Sequence, residues 1–275
     1  MSCRVRGAEP LYVFDLSGLV YRHYKTVPAM SGRSAFAVIE GIVQQKSPAL
    51  FALAEDTGFE NFRHELMRGW GLKYKAHRNE DEKAAVLDQI RICGEMAEDI
   101  LGVRRFSVAG YEGDDVVAAL VERASQEARN SIIVGWDKDF WQLVRDEPPR
   151  VRLWDGKADP RKEQDCVERF GVRPAQMVDY LCMVGDSSDG VPGVWGCGPK
   201  AAEGVLGAFE TLEEAFASAA EGRESHPFWK ANGKVWSRLG GDVPRVAADR
   251  ARQLIRLRPP SLELGPLHEL LVEAV

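Results

Sequence analysis

The chain has 275 residues, room for one large domain or two modest ones, and its 45% hydrophobic and 28% charged residues are those of an ordinary globular protein with core enough to need no disulfide staples. Its five cysteines (Cys3, Cys93, Cys166, Cys182, Cys197) are scattered without a CxxC pair, which argues against a zinc site or a secreted disulfide framework and for a reducing cytosol. No apolar run is long enough to span a bilayer, the N-terminus lacks the apolar segment of a signal peptide, and the net charge of −6 would disfavour nucleic acid only if the acids were evenly spread.

Leu11–Leu16, LYVFDL, is a short β-branched and aromatic run, predicted as a buried strand with Asp15 at its C-terminal end. Leu19–Tyr24 opens a loop or helix carrying Arg22 and His23. Ala35–Gln45 has helical spacing, with Phe36, Ile39, Ile42 and Val43 on one face. Ala49–Ala54, ALFALA, reads as a second buried strand running into Glu55 and Asp56. Phe59–Arg78 is the most cationic window: Arg63, Arg68, Lys73, Lys75 and Arg78 alternate with aromatics. Such a window is either a solvated surface loop or a set of phosphate contacts with stacking on bases. Glu80–Leu101 has a long amphipathic helical pattern. Arg105–Ala109 is a third strand candidate and leads to Glu112, Asp114 and Asp115 at a helix start. Ser131–Gly135 is a fourth, followed by Trp136, Asp137 and Asp139. Val151–Trp154 fits an edge strand.

Alternating strands and helices predict an α/β domain with a mainly parallel sheet, and in such sheets sites form at the C-terminal edge of the strands. One acid at a strand end is commonly a helix cap. Four successive strands ending in acids are not explained by capping, because gathering like charges costs stability unless cations neutralise them. Carboxylates without His or Cys ligands suit hard, oxygen-seeking Mg2+ or Mn2+. Setting the gathered acids aside as ligands leaves a net positive remainder.

From Asp159 onward the chain becomes helical, over Arg161–Phe170, Pro174–Val184, Ala201–Leu206 and Leu212–Ala220. Glu221–Asp242 is glycine-rich and aromatic, predicted as a loop with a short helix, and Val243–Leu257 as an arginine-rich helix before a weakly patterned tail. Met183–Ala202 reads MVGDSSDGVPGVWGCGPKAA. Asp186 and Asp189 lie three apart, which places both carboxylates on one side of a helical turn. Gly193, Gly196 and Gly198 precede Lys200 at a helix start, where free amide N–H groups would hold a backbone phosphate.

FDLSGLVYRHY, an ED pair followed by FRHEL and YKAHR, GYEGDDVVAAL, VGWDKDFWQLV and MVGDSSDGVPGVWGCGPKAA occur in this order. The order resembles the 5′-nuclease family: the 5′→3′ exonuclease domain of bacterial DNA polymerase I, the phage 5′-exonucleases and the flap endonucleases. The resemblance covers roughly residues 11–220. It implies a PIN-like α/β catalytic domain over residues 1–158 with a helical arch at about 74–101. Residues 159–275 would form a helical DNA-binding region with a helix–hairpin–helix motif at about 174–206. The family's metal-binding acids carry over as Asp15, Asp56, Glu112, Asp114, Asp115, Asp137, Asp139, Asp186 and Asp189. Lys75 and Arg78 match its catalytic basic pair. Arg22 and Arg63 are candidate DNA contacts, beside the hairpin residues Gly193, Gly196, Gly198 and Lys200. Two Mg2+ ions (with Mn2+ as a substitute) and a K+ ion at the hairpin are implied. So are a DNA substrate with 5′ single-stranded ends, flaps or nicks, no membrane, a monomer, and the cytoplasm of a bacterial cell or phage-infected host. Gly190 stands where the family has Asn, Trp136 where it has Gly or Ala, and about four extra residues fall around Met67–Leu72.

The expected activity is a stand-alone, structure-selective 5′-nuclease cutting phosphodiesters. A PIN-type RNase shares the carboxylate-bearing sheet but is usually shorter and lacks the hairpin. A non-catalytic DNA-structure binder would keep the hairpin and could lose the acids. An aspartyl-phosphate phosphatase needs a second Asp two residues after Asp15, where Ser17 stands.

Overall fold

The computed structural model describes residues 9–47, 50–76, 79–261 and Leu267. In chain order its elements are β1 (Leu11–Asp15), α1 (Leu16–Tyr24), α2 (Ser31–Lys46), β2 (Leu50–Ala54), α3 (Phe62–Gly69), α4 (Glu80–Leu101), β3 (Arg104–Phe106), α5 (Gly113–Gln126), β4 (Ser131–Val134) and β5 (Val151–Trp154). They continue with α6 (Glu163–Phe170), α7 (Met177–Val184), α8 (Pro199–Ala208), α9 (Leu212–Ala220), α10 (Pro227–Ala231), α11 (Gly233–Leu239) and α12 (Asp242–Ile255). Two compact units result. One comprises residues 1–62, 78–162 and 257–275, the other residues 63–77 and 163–256.

The first unit is built on a five-stranded sheet of order β3-β2-β1-β4-β5, every pair parallel. All five residues of β1 are buried, as the central strand of a sheet covered on both faces requires. Tyr12 and Phe14 join the core beneath α1, α2 and α4, while α5 packs on β1, β2 and β4. Register places Asp15 opposite Ala54, and Phe14 opposite Val134 on the other side. Strand order reverses at β1, with β2 and β3 to one side and β4 and β5 to the other. That is the switch point where open parallel sheets leave a crevice at the C-terminal edge.

α4 departs from the arch expected over residues 74–101. Val86, Ile90, Cys93 and Ala97 form a stripe of helical period and are buried in the core against α2 and α1. A helix fixed by such a stripe belongs to the body of the domain.

The second unit is helical. α7 packs against α12 and α8, and α8 against α9. Its polar hub is Asp179, which accepts from the Leu212 amide at 2.9 Å and from Arg252 at 3.0 Å. Residues 63–77 belong here: the Arg63 guanidinium donates from Nε to the Leu254 carbonyl at 2.7 Å. Residues 221–242 are more helical than expected, carrying a short 3-10 turn, α10 and α11. After α12 the chain returns to the first unit, where the Leu257 and Arg258 amides donate to Gln142 (3.0 Å) and Asp115 (2.8 Å). No helix among the described residues is long and apolar enough to cross a membrane.

Candidate active site

Asp15 ends β1 and caps α1, accepting from the Gly18 amide at 2.8 Å. A side chain at Gly18 would collide with that carboxylate, so the glycine is what lets Asp15 sit there. Asp56 follows β2 and accepts from the Gly113 amide at 2.8 Å, at the head of α5, while its own amide donates to Ser17 at 2.9 Å. Glu112 follows β3 and accepts from Asn61 Nδ2 at 2.9 Å. Asp137 follows β4 and accepts from the Asp139 amide at 2.8 Å. Each carboxylate is thus fixed by a backbone or amide donor at a strand end, and each keeps lone pairs for other use.

Asp114 lies among them. It keeps a partly exposed edge, but burial is the main force lifting its pKa well above the usual carboxylate range. The neighbouring charges of Asp137, Asp15, Asp56 and Glu112 push it further the same way. Five of the nine expected acids therefore share one field at the C-terminal edge of the sheet. Among the described residues no three acids, histidines or cysteines converge closely enough to ligate one ion directly. The donor set still fits hydrated, hard divalent cations. It is all oxygen, its charges repel one another, and a cation would relieve the strain on Asp114.

Asp115 does not join this group. It is fully buried at the third position of α5, where Oδ2 accepts the Glu112 amide at 3.2 Å and Oδ1 the Arg258 amide. That is a capping arrangement. Asp139 sits in the 3-10 turn after Asp137 and is not among the groups that perturb Asp114.

Asp186, Asp189 and Lys75 lie in the second unit. Asp186 is buried, accepts from the Ser188 amide at 3.0 Å and from its hydroxyl, and pairs backbone with Val191 at 2.8 Å in both directions. Asp189 Oδ2 accepts from the Tyr74 hydroxyl at 2.8 Å and lies 3.6 Å from Lys75 Nζ. Lys75 adopts φ +50°, and its amide donates to the Asp189 carbonyl at 3.2 Å. Gly190 has φ +73°. Asn tolerates that left-handed conformation better than most residues, so Gly in its place preserves the turn. Arg78 lies outside the described residues.

Two expected contacts change meaning. Arg63 is 2% exposed and bound to Leu254, so it is a buried structural cation instead of a DNA contact. Gly193 serves an internal approach: an added Cβ would lie 2.4 Å from the Met183 carbonyl oxygen and 2.5 Å from the Gly185 amide. Gly196, Gly198 and Lys200 are exposed around the uncapped start of α8. Arg22 is exposed, its guanidinium 4.8 Å from the Trp136 ring centroid, so Trp136 serves as its platform. Sequence reading missed Asn61, Ser17 and Tyr74 as partners of acids. Of these, Ser17 stood inside the motif FDLSGLVYRHY and Tyr74 inside YKAHR, while Asn61 lay just before FRHEL.

Fold and site together define a parallel α/β domain with a carboxylate-lined strand edge, joined to a helical unit. The chain belongs to the 5′–3′ exonuclease family. The model of its N-terminal resolvase-like domain matches residues 10–171 and that of its C-terminal SAM fold residues 172–259. A protein named 5′–3′ exonuclease from Aquifex aeolicus is 27% identical over 74% of this chain and 71% of its own length. The thermostable DNA polymerase I of Thermus aquaticus is 35% identical over 76% of this chain. The chain spans only 26% of that polymerase, and 21% of the one from Treponema pallidum. Among solved structures, T5 5′-exonuclease with bound zinc shares the fold, with a TM-score of 0.65 and 18% identity over 90% of this chain and all of the other. The catalytic core of Rad2 with DNA also shares it, at 0.56 and 16% over 94% of this chain and 83% of the other.

Proposed function

We propose that this protein is a metal-dependent, structure-selective 5′-nuclease that hydrolyses DNA phosphodiesters at 5′ single-stranded ends, flaps or nicks. The observation that carries the reading is the cluster of Asp15, Asp56, Glu112 and Asp137 around Asp114 at the switch point of a parallel sheet. These residues would hold two Mg2+ ions, with Mn2+ as a substitute. Bound there, the metal supplies an activated water and positive charge for the attacking and leaving oxygens. The backbone donors to Asp15, Asp56 and Asp137 keep those carboxylates aimed, so no rotamer freedom is lost when the cations enter.

Lys75 offers an ammonium to the developing phosphate charge, which it reaches by exchanging its contact with Asp189 for substrate. Gly196, Gly198 and Lys200 hold duplex phosphates without reading sequence, and a K+ ion at this hairpin would add to the same anion site. The protein works as a monomer in the cytoplasm.

A 5′-labelled flap substrate with Mg2+ or EDTA tests the reading. Cleavage should need the metal and fall by at least about 1000-fold in Asp15→Asn, with DNA binding retained. Undiminished turnover by that mutant would sink the site, and preference for an RNA strand would favour the PIN-type alternative.

A further inference from the structure

Trp195 is 86% exposed, the most accessible of the large apolar side chains among the described residues. It does not sit on a slack loop. The Cys197 amide donates to the Val194 carbonyl at 3.0 Å and closes a four-residue turn, with Trp195 second and Gly196 third. Gly196 has φ +74°, the value a type II turn demands at that place. Val194 and Cys197 root the turn, at 3% and 4% exposure, and the Val194 amide donates to the Met183 carbonyl at 3.0 Å. Arg238 clasps the outside by donating to the Gly196 carbonyl, and a side chain at Gly196 would displace its guanidinium. The backbone that carries the indole is therefore ordered before anything binds. A solvent-facing Trp on an ordered backbone has only two side-chain torsions left to fix in meeting a partner and offers a large apolar face with one N–H donor.

Its setting indicates which partner. α8 starts with Gly198 at the cap, Pro199 and exposed Lys200; the Ala201 and Ala202 amides donate to the Gly198 carbonyl, so the cation there is the Lys200 side chain. Lys234 lies one helical turn from Arg238 on α11 and is exposed. An apolar protein partner would meet an apolar surround; here the surround is cationic. On a nucleic acid duplex the phosphates occupy such groups, and the apolar surface beside them is deoxyribose and base edge. We infer that Trp195 is an apolar duplex contact, laid against sugars and base edges in the groove flanking the phosphates that the hairpin holds. This rests on the nuclease reading and adds to it a contact independent of charge.

The test measures binding of a fluorescein-labelled nicked duplex with a 5′ flap, by anisotropy in Ca2+, from about 50 to 200 mM salt. Trp195→Ala should weaken binding about tenfold at every salt concentration, within the range of aromatic contacts to nucleic acid. The slope of log K against log salt should stay at the wild-type value, whereas Lys200→Ala should reduce that slope by about one. Trp195→Phe should recover most of the affinity, KM should rise with kcat unchanged, and the melting temperature of Trp195→Ala should match wild type. Wild-type affinity in Trp195→Ala, with wild type binding and cutting normally, overturns the contact and leaves the nuclease intact. Failure of the wild type to bind the flap duplex sinks both. Unchanged DNA affinity together with loss of a self-association seen in the wild type by sedimentation would assign the indole to a second copy, and also overturns the inference.

Discussion

At Asp114 the folded protein holds a carboxyl where ionisation is disfavoured twice, by burial and by Asp137, Asp15, Asp56 and Glu112 around it. Its folded pKa lies above the unfolded one, so the ionised group subtracts stability. The penalty is absent below the unfolded value near 3.8, grows as pH rises past it, and is complete above the folded pKa. Asp114→Asn imitates the protonated form. In EDTA at pH 7.5 it should raise the thermal midpoint by about 2 °C or more and flatten its dependence on pH, while abolishing cleavage. Mg2+ should raise the wild-type midpoint, because a ligand bound only by the folded state stabilises it, and raise the mutant's less. A mutant less stable than wild type in EDTA would mean that Asp114 is held by something other than a metal site.

Trp136 poses the same kind of question for Arg22. Trp136→Gly removes a cation–π contact of about 0.5–1 kcal/mol at an exposed site, so KM for flap DNA should rise roughly two- to fivefold with kcat little changed. Trp136→Phe should restore most of it, and equal KM in all three would leave Arg22 without a role in binding.

Among the elements, the strands and their terminal acids were legible because each signal is local: an apolar run of β-branched and aromatic residues, then an acid. β1, β2, β4 and β5 follow from such runs. The role of α4 was not legible. Its amphipathic pattern fits a body helix as well as an arch helix, and only the contacts of its apolar stripe with α2 decide. Ile90→Ala should therefore cost about 2–5 kcal/mol in urea denaturation, the range for a buried large-to-small change. An effect under about 0.5 kcal/mol would return α4 to the surface. The capping bonds of Asp115 were not legible for a similar reason. In GYEGDDVV the two adjacent aspartates look alike, yet a helix sends neighbours about 100° apart. One faces the acid cluster and the other turns back to cap Glu112 and receive Arg258. Arg63 sits in the most cationic window of the sequence, and burial of a cation against a carbonyl 191 residues away leaves no local trace.

For the whole molecule, neither unit is continuous in sequence, since residues 63–77 belong to the helical unit and the chain after Arg256 returns to the sheet. A boundary near residue 158 follows from the change in periodicity, but these crossings rest on long-range contacts that periodicity cannot register. Charge is organised at the same scale. The net charge is −6, yet at least five carboxylates are concentrated in one field at the sheet edge. Without cations that edge repels a polyanion; divalent cations bound there neutralise most of its charge. Duplex affinity should therefore depend on metal even where no bond is cut. At matched ionic strength, Ca2+ should tighten binding of a flap duplex about tenfold or more over EDTA, since it takes the same oxygen ligands. Replacing Asp15 and Asp137 together by Asn should reproduce much of that gain in EDTA, because it removes two charges without adding any contact. Equal affinity in EDTA and Ca2+ would show that the acid edge lies outside the DNA path, and would separate the carboxylate cluster from the surface that binds the substrate.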